Sequence, residues 1–308
     1  MKKVVLLVTL AAMMIVAFAG CGQAAPSESA ESSAPAATEA PSVEATEAPT
    51  EAPSAEPVVL KAAGSTSVGP VLEALVELYI AENPNVSIDV EQIDSGAGVT
   101  AAGDGTADIG MASRNLKDEE KTTYPDMQST ILCVDGVAVV VSAENSVKEL
   151  TKDQIKGIFT GEITDWSEVG GDKGKITLYS RESTSGTREA FQTLFLGKDD
   201  KGEQIEIDDT MCVIQESNGA IGTAIEGDKT GIGYMSLGIA PSYKVTSITV
   251  DGVEATVEKL VAGEYTYSRP FNLLTMGAPA GDVATFIEWC TTSDEAISYM
   301  EEKGYVMP

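Results

Sequence analysis

Arg181-Glu-Ser-Thr-Ser-Gly-Thr-Arg188 combines one arginine, a cluster of hydroxyl residues and a glycine, and it runs directly into Arg188-Glu-Ala-Phe-Gln-Thr-Leu-Phe195, a helix-like stretch. These residue types hold a small tetrahedral anion. The first N–H groups of a helix are unpaired and its dipole favours negative charge there. Ser183, Thr184, Ser185 and Thr187 add rotatable donors. Gly186 lets the backbone come close, and Arg181 supplies a planar, permanently charged fork. The same residues also suit an ordinary N-cap in which Ser183 or Ser185 starts a surface helix.

Three further turns share this grammar. Gly64-Ser-Thr-Ser-Val-Gly69, Asp94-Ser-Gly-Ala-Gly98 and Ser113-Arg114 each follow a strand-like run and precede a helical one. The elements that must position them read as follows. Residues 58–63 form a strand, 71–80 an amphipathic helix, 86–93 an alternating strand and 107–112 a strand. A polar helix lies around 117–121, and 131–141 is a long apolar strand that crosses into a second lobe. Residues 151–159 make a capped helix, 175–179 a strand feeding Arg181 and 231–237 a later strand. Residues 248–257 read as a hairpin-like pair around Asp251-Gly252, and 282–304 contains a helical stretch. Gly231-Ile-Gly-Tyr234 lacks the full glycine pattern of a nucleotide loop and is set aside. Alternating strands and helices indicate α/β architecture with largely parallel sheets, where ligands sit beyond the carboxyl ends of strands.

The N-terminus opens like an exported chain. Lys2 and Lys3 precede an apolar run from Val4 to Ala19, and Phe18-Ala-Gly-Cys21 ends it with small residues. This is a signal peptide over 1–20 with Cys21 placed for lipidation, although Phe18 stands where leucine is usual. Residues 21–57 then form a tether of Ala, Pro, Ser, Thr and Glu that repeats Thr-Glu-Ala-Pro, a composition that buries no core. The folded part is 58–308, read as lobe 1 over 58–140, lobe 2 over 141–240 and a return to lobe 1 over 241–308.

Composition excludes several classes. The net charge of −28 argues against nucleic acid as a partner. It does not argue against a buried anion, because long-range repulsion is screened within about 8–10 Å. There is no histidine, which removes Ser-His-Asp and Cys-His catalysis. Cys133, Cys212 and Cys290 have no metal-ligand spacing, and one bridge among them stays open. No cofactor or metal is expected.

The ordered set of motifs resembles the PstS-type substrate-binding lipoprotein of the high-affinity phosphate ABC transporter. The matching segments are Gly-Ser-Thr-Ser-Val at 64–68, Asp-Ser-Gly-Ala-Gly at 94–98, Ala-Asp-Ile-Gly-Met-Ala-Ser-Arg at 107–114 and Arg-x-x-x-Ser-Gly-Thr at 181–187. Gly231–Gly238 and Tyr267-Ser-Arg-Pro-Phe271 fit as well. The resemblance implies a type II periplasmic-binding-protein fold, in which two α/β lobes joined by two crossings close over phosphate. It implies ligand contacts from Ser65, Thr66, Ser67, Ser95, Ser113, Arg114, Arg181, Ser185, Gly186 and Thr187. It further implies a non-enzymatic, monomeric receptor anchored by lipid (palmitate) to the outer face of a Gram-positive-type cell membrane, which hands inorganic phosphate to the permease subunits. The family places an aspartate after the serine of the Ser-Arg pair, and this aspartate accepts the phosphate proton. Here that position is Arg114, which only donates. Asp94 and Glu182 are then the candidate acceptors by nearness in sequence. Receptors for sulfate, molybdate or tungstate, and a phosphatase using Ser65, Ser67 or Ser185, are the alternatives to be separated by experiment.

Overall fold

The computed structural model describes residues 57–308. The signal peptide, Cys21 and nearly all of the tether lie outside them. No helix among the described residues is long and apolar enough to cross a membrane.

The chain begins with β1 (Val58–Ser65), α1 (Gly69–Glu82), β2 (Val86–Ile93), α2 (Ser95–Gly103), β3 (Ile109–Ala112) and α3 (Asp118–Thr123). β1 pairs in parallel with β2 and with β3. α1 forms because Leu72, Leu75, Val76 and Tyr79 repeat at helical spacing, and all four are buried against this sheet. β4 (Met127–Ser142) then runs through both halves of the molecule. Its first half is antiparallel to β11 (Ser268–Met276), which in turn pairs with β3. Its second half pairs with β8 (Gly231–Ser236) and β9 (Val245–Ser247).

Between these come β5 (Glu149–Leu150), α4 (Lys152–Phe159), β6 (Thr177–Arg181), α5 (Gly186–Phe191), β7 (Cys212–Gln215) and α6 (Asn218–Glu226). β10 (Thr249–Val250), α7 (Val257–Val261), α8 (Gly281–Thr292) and α9 (Asp294–Glu302) complete the described elements. Among the described residues nine strands make one continuous sheet, ordered β2-β1-β3-β11-β4-β8-β6-β7 with β9 on β4.

Separate apolar cores flank the shared strand. One gathers Leu72, Leu75, Ile109, Phe271 and Phe286. The other gathers Val139, Phe159, Phe191, Phe195 and Ile232. This is the two-lobed α/β arrangement expected, and the two crossings are β4 and the start of β11. The return, however, comes later than residue 241. Ile248, Val250, Leu260 and Tyr265 belong to the second core, and β9 pairs with the second half of β4. The chain rejoins the first lobe at Ser268, where β11 pairs with β4 opposite Gly136. The segment around Asp251-Gly252 also differs from a hairpin of two strands. Asp251 (φ 49°) and Gly252 (φ 82°) make a tight turn that links Val250 back to Val253. β10 itself pairs in parallel with β5, and the chain enters α7 at Val257. Cys133, Cys212 and Cys290 are free thiols, and Cys133 is buried in the first core.

Candidate functional site

The four hydroxyl-rich turns meet where the lobes face each other. The first turn follows β1. Gly64 adopts φ 139°, which other residues rarely take, and its Cα packs against Gly98 of α2. That close approach brings the turns after β1 and β2 side by side. Asp94 caps α2 by accepting from Ala97 N at 2.9 Å. From the other lobe, Ser185 caps α5 by accepting from Arg188 N at 3.3 Å. α5 continues without a break into one π-helical turn, Gln192–Leu196.

Hydrogen bonds tie the facing turns together. Ser67 Oγ and Thr187 Oγ1 lie 2.9 Å apart across the lobes. Ser95 Oγ and Ser113 Oγ are 3.3 Å apart, and Ser113 N donates to Ser95 Oγ at 3.1 Å. Gly96 N donates to Thr184 O at 3.2 Å. A Cβ on Gly186 would sit 2.7 Å from Ser113 Oγ and 2.9 Å from Ser95 Cβ, so only glycine fits at this contact. Ser65, Thr66, Ser67, Ser95, Ser113, Ser185 and Thr187 are all buried. The structure therefore brings together Ser67, Ser95, Ser113, Gly186 and Thr187, with Thr66 beside them. The Ser65 hydroxyl faces its own turn, accepting from Ser67 N at 3.2 Å.

Arg181 ends β6 and is 1% exposed. Its fork is clamped from behind: Nε and Nη2 donate to Glu182 at 2.9 and 2.6 Å, and the carbonyls of Gln215 and Glu216 take further bonds. Nη1 is buried without a hydrogen-bond partner. A buried guanidinium N–H left unpaired is costly unless something accepts it, and Nη1 is such a donor. Tyr234 supports this end of β6, accepting from Arg181 N at 3.1 Å while stacking on Phe191 at 4.1 Å. Burial pushes its phenol up to about 12.

Arg114 does not join the cluster. Its Nη1 and Nη2 bind Glu120 at 2.8 and 2.7 Å, and Nε lies 2.9 Å from Glu189 Oε2, within ion-pair range though poorly aligned for a hydrogen bond. A guanidinium gripped by two carboxylates is not available to an anion, which corrects the expectation that Arg114 contacts the ligand. Of the two candidate acceptors, Glu182 uses both carboxylate oxygens on Arg181, while Asp94 uses only Oδ1 to cap α2.

Three residues given no role by the sequence reading stand at the centre. Arg269 on β11 is the cross-strand partner of Asp135 on β4. The two form a buried ion pair at 3.0 Å. Arg269 also donates to Ser113 Oγ at 3.2 Å and to Ser67 Oγ at 3.0 Å. Burial pushes the Asp135 carboxyl above its ordinary value despite the opposing pull of Arg269 and Ser236. Burial likewise pulls Arg269 down, opposed by Asp135, while the like charge of Arg181 lowers it further. Asn218 starts α6; its Nδ2 reaches Ser67 Oγ at 2.8 Å and Thr66 Oγ1 at 3.2 Å, while its Oδ1 accepts from Ser236 N. The signal for Asp135 was present: it is the one charge in the apolar run 131–141. Arg269 lies inside Tyr267-Ser-Arg-Pro-Phe271, where nothing in the local sequence links it to Asp135. Nothing local distinguished Asn218 from a helix start.

Residues 31–295 match the family model for the PBP superfamily domain. The phosphate-binding protein PstS of Staphylococcus haemolyticus is 32% identical over 80% of this chain and 80% of its own length. PstS of Bacillus subtilis is 28% identical over 99% of this chain and 94% of its own. A Clostridium perfringens ABC-transporter substrate-binding protein solved with bound phosphate is 36% identical, superposes with a TM-score of 0.73 and covers 81% of this chain and 99% of that one. The chain belongs to the PBP superfamily, with the type II periplasmic-binding-protein fold, and within it to the PstS-type phosphate-binding proteins.

Proposed function

We propose that this protein captures inorganic phosphate outside the cytoplasm and delivers it to the permease of an ABC transporter. The observation that carries the reading is Arg181 Nη1, buried and unpartnered at the end of β6, together with buried hydroxyls that converge from both lobes. Desolvating a divalent anion is costly unless its oxygens are hydrogen-bonded, and the site concentrates donors for that purpose. Thr66, the Ser67 backbone, Ser95, Arg181, Ser185, Gly186 and Thr187 are the proposed contacts, with Ser113 close behind Ser95. Relatives that carry the PstS name and a relative solved with phosphate support the same ligand.

The protein works by binding and release rather than turnover, and needs no cofactor. Closure of the lobes around phosphate is a hinge motion about β4 and β11, and the permease reads the closed form, which the ligand populates by preferring it. Cys21, lipidated after removal of residues 1–20, holds the monomer at the outer face of the membrane, and residues 21–57 give it reach.

Calorimetric titration with phosphate, sulfate, molybdate and tungstate tests the reading. Phosphate is expected to bind at one site at least about a hundredfold more tightly than sulfate. Equal binding of sulfate makes the protein a general oxyanion receptor, and turnover of a phosphomonoester makes it an enzyme.

A further inference from the structure

A cavity of about 360 Å³ lies against the hinge and shares no residue with the cluster of hydroxyl-rich turns. Both lobes wall it. Pro70, Tyr299, Lys303 and Tyr305 come from the first lobe, and Gly238 and Tyr243 from the second. Paired backbone bonds between Val134 and Val306, at 2.7 and 2.9 Å, fix the C-terminal segment beside β4. Gly238 is fixed from the other side, its N donating to Asp135 Oδ1 at 3.3 Å. Tyr305 thereby packs on Gly238, where a Cβ would lie 3.0 Å from its ring and 3.1 Å from its hydroxyl.

The cavity carries recognition chemistry that the fold does not use. Tyr305 is 5% exposed, and its hydroxyl forms no hydrogen bond among the described residues. Burial pushes this phenol up, so it stays protonated and offers a donor. The Asp135 carboxylate behind it is paired with Arg269. Lys303 is exposed, holds its ammonium 5.5 Å from the centre of the Tyr299 ring and makes no ion pair among the described residues. Tyr243, Tyr299 and Tyr305 supply aromatic faces. The donor and the cation together require a charged acceptor oxygen, and the rings suit a flat apolar body. A single carboxylate is the smallest charge that serves both donors, and the net charge of −28 disfavours a more highly charged anion. The volume is that of a small-molecule pocket and admits one or two fused rings.

We propose that this cavity is a second ligand site, for a small aromatic carboxylate, and that its occupant holds the lobes closed. Lys303 and the Tyr305 hydroxyl take the carboxylate, and the ring lies among the tyrosines. The walls belong to different lobes, so the cavity keeps this shape only while the lobes stay joined as they are through Ser67 and Thr187. A ligand that touches both walls binds this arrangement better than an open one. It therefore raises phosphate affinity, and phosphate raises its affinity by the same factor. The site stands on its own residues; its coupling rests on the phosphate reading above.

The test is calorimetry of the intact protein with 1-naphthoate, without phosphate and with phosphate at saturation. One naphthoate is expected per protein. 1-Naphthamide keeps the rings without the charge, and decahydro-1-naphthoate keeps the charge without aromatic faces. Each is expected to bind about three- to tenfold more weakly. Phosphate is expected to tighten naphthoate, and naphthoate to tighten phosphate, by one common factor of about five or more. Lys303→Gln is expected to lose the preference for naphthoate over naphthamide, and Tyr299→Leu to weaken both. Phosphate binding without naphthoate should be unchanged in either variant. Naphthoate binding that survives both substitutions at full strength, or no binding up to about 10 mM, overturns the site. Naphthoate binding with no effect on phosphate affinity overturns the coupling. Naphthoate binding by wild type that takes no phosphate upholds the site and defeats the phosphate reading alone.

Discussion

Arg114 Nε lies 2.9 Å from Glu189 Oε2, and this pair joins the end of β3 in one lobe to α5 in the other. Lys117 reaches the same carboxylate at 3.1 Å. The position where the family places a proton acceptor for phosphate thus holds a latch between lobes. Glu189→Gln keeps the side chain's size and removes its charge. It is expected to weaken phosphate binding by about three- to tenfold, because only closure is impaired. Calorimetry at low and high salt checks this, and the deficit should shrink as salt rises. A loss beyond about a hundredfold would mean that the latch residues meet the anion directly.

Glu120, behind Arg114, makes stability depend on pH. Burial acts to raise its carboxyl, but hydrogen bonds from Arg114 and from Lys117 N outweigh burial and leave it below its ordinary value. A depressed carboxyl contributes stability above its unfolded pKa, and the contribution is lost as pH falls through the folded value. Wild type is therefore expected to exceed Glu120→Gln by about 1–2 kcal/mol at neutral pH, with the gap closing from about pH 5 downward. Thermal melting of both proteins across that range reads the effect directly. A gap that widens on acidification contradicts the assignment.

Gly186 is tested by adding one methyl group. In Gly186→Ala the new carbon meets Ser95 and Ser113 across the lobe contact, while the rest of α5 is untouched. Overpacking of this kind costs about 1–3 kcal/mol. Phosphate affinity is expected to fall by about ten- to a hundredfold with little change in the melting temperature of the ligand-free protein. A melting temperature that drops as steeply as affinity would place the role of Gly186 in the fold rather than in closure.

Arg181→Lys keeps the charge but loses the fork that Glu182 orients. Each charge-assisted bond contributes about 1.5–3 kcal/mol, so phosphate affinity is expected to drop by about ten- to a hundredfold or more. Titration of the variant against wild type measures it, and near-wild-type affinity would move the site elsewhere.

Much of this molecule was legible in its sequence. The strand–turn–helix grammar at Gly64, Asp94, Ser113 and Arg181 located the turns, because capping chemistry and apolar periodicity are local properties. The apolar run at 131–141 announced the shared strand. What stayed hidden depends on partners distant in sequence. Arg114 reads as an anion ligand until Glu120 and Glu189 are seen around it. The pairing of Asp135 with Arg269 spans 134 residues, and only the antiparallel register of β4 and β11 makes them neighbours. The late return at Ser268 was hidden for the same reason: β9 and β10 are three- and two-residue strands whose place is set by β4 and β5, not by their own pattern.

The most direct test is the structure of this protein crystallised with phosphate. One anion is expected at the start of α5, with an oxygen within hydrogen-bond distance of Arg181 Nη1 and others on the Gly186–Thr187 backbone and the Ser95 hydroxyl. Arg114 should remain on Glu120 and Glu189. An anion bound elsewhere, or one that leaves Arg181 Nη1 unpartnered, would contradict this placement.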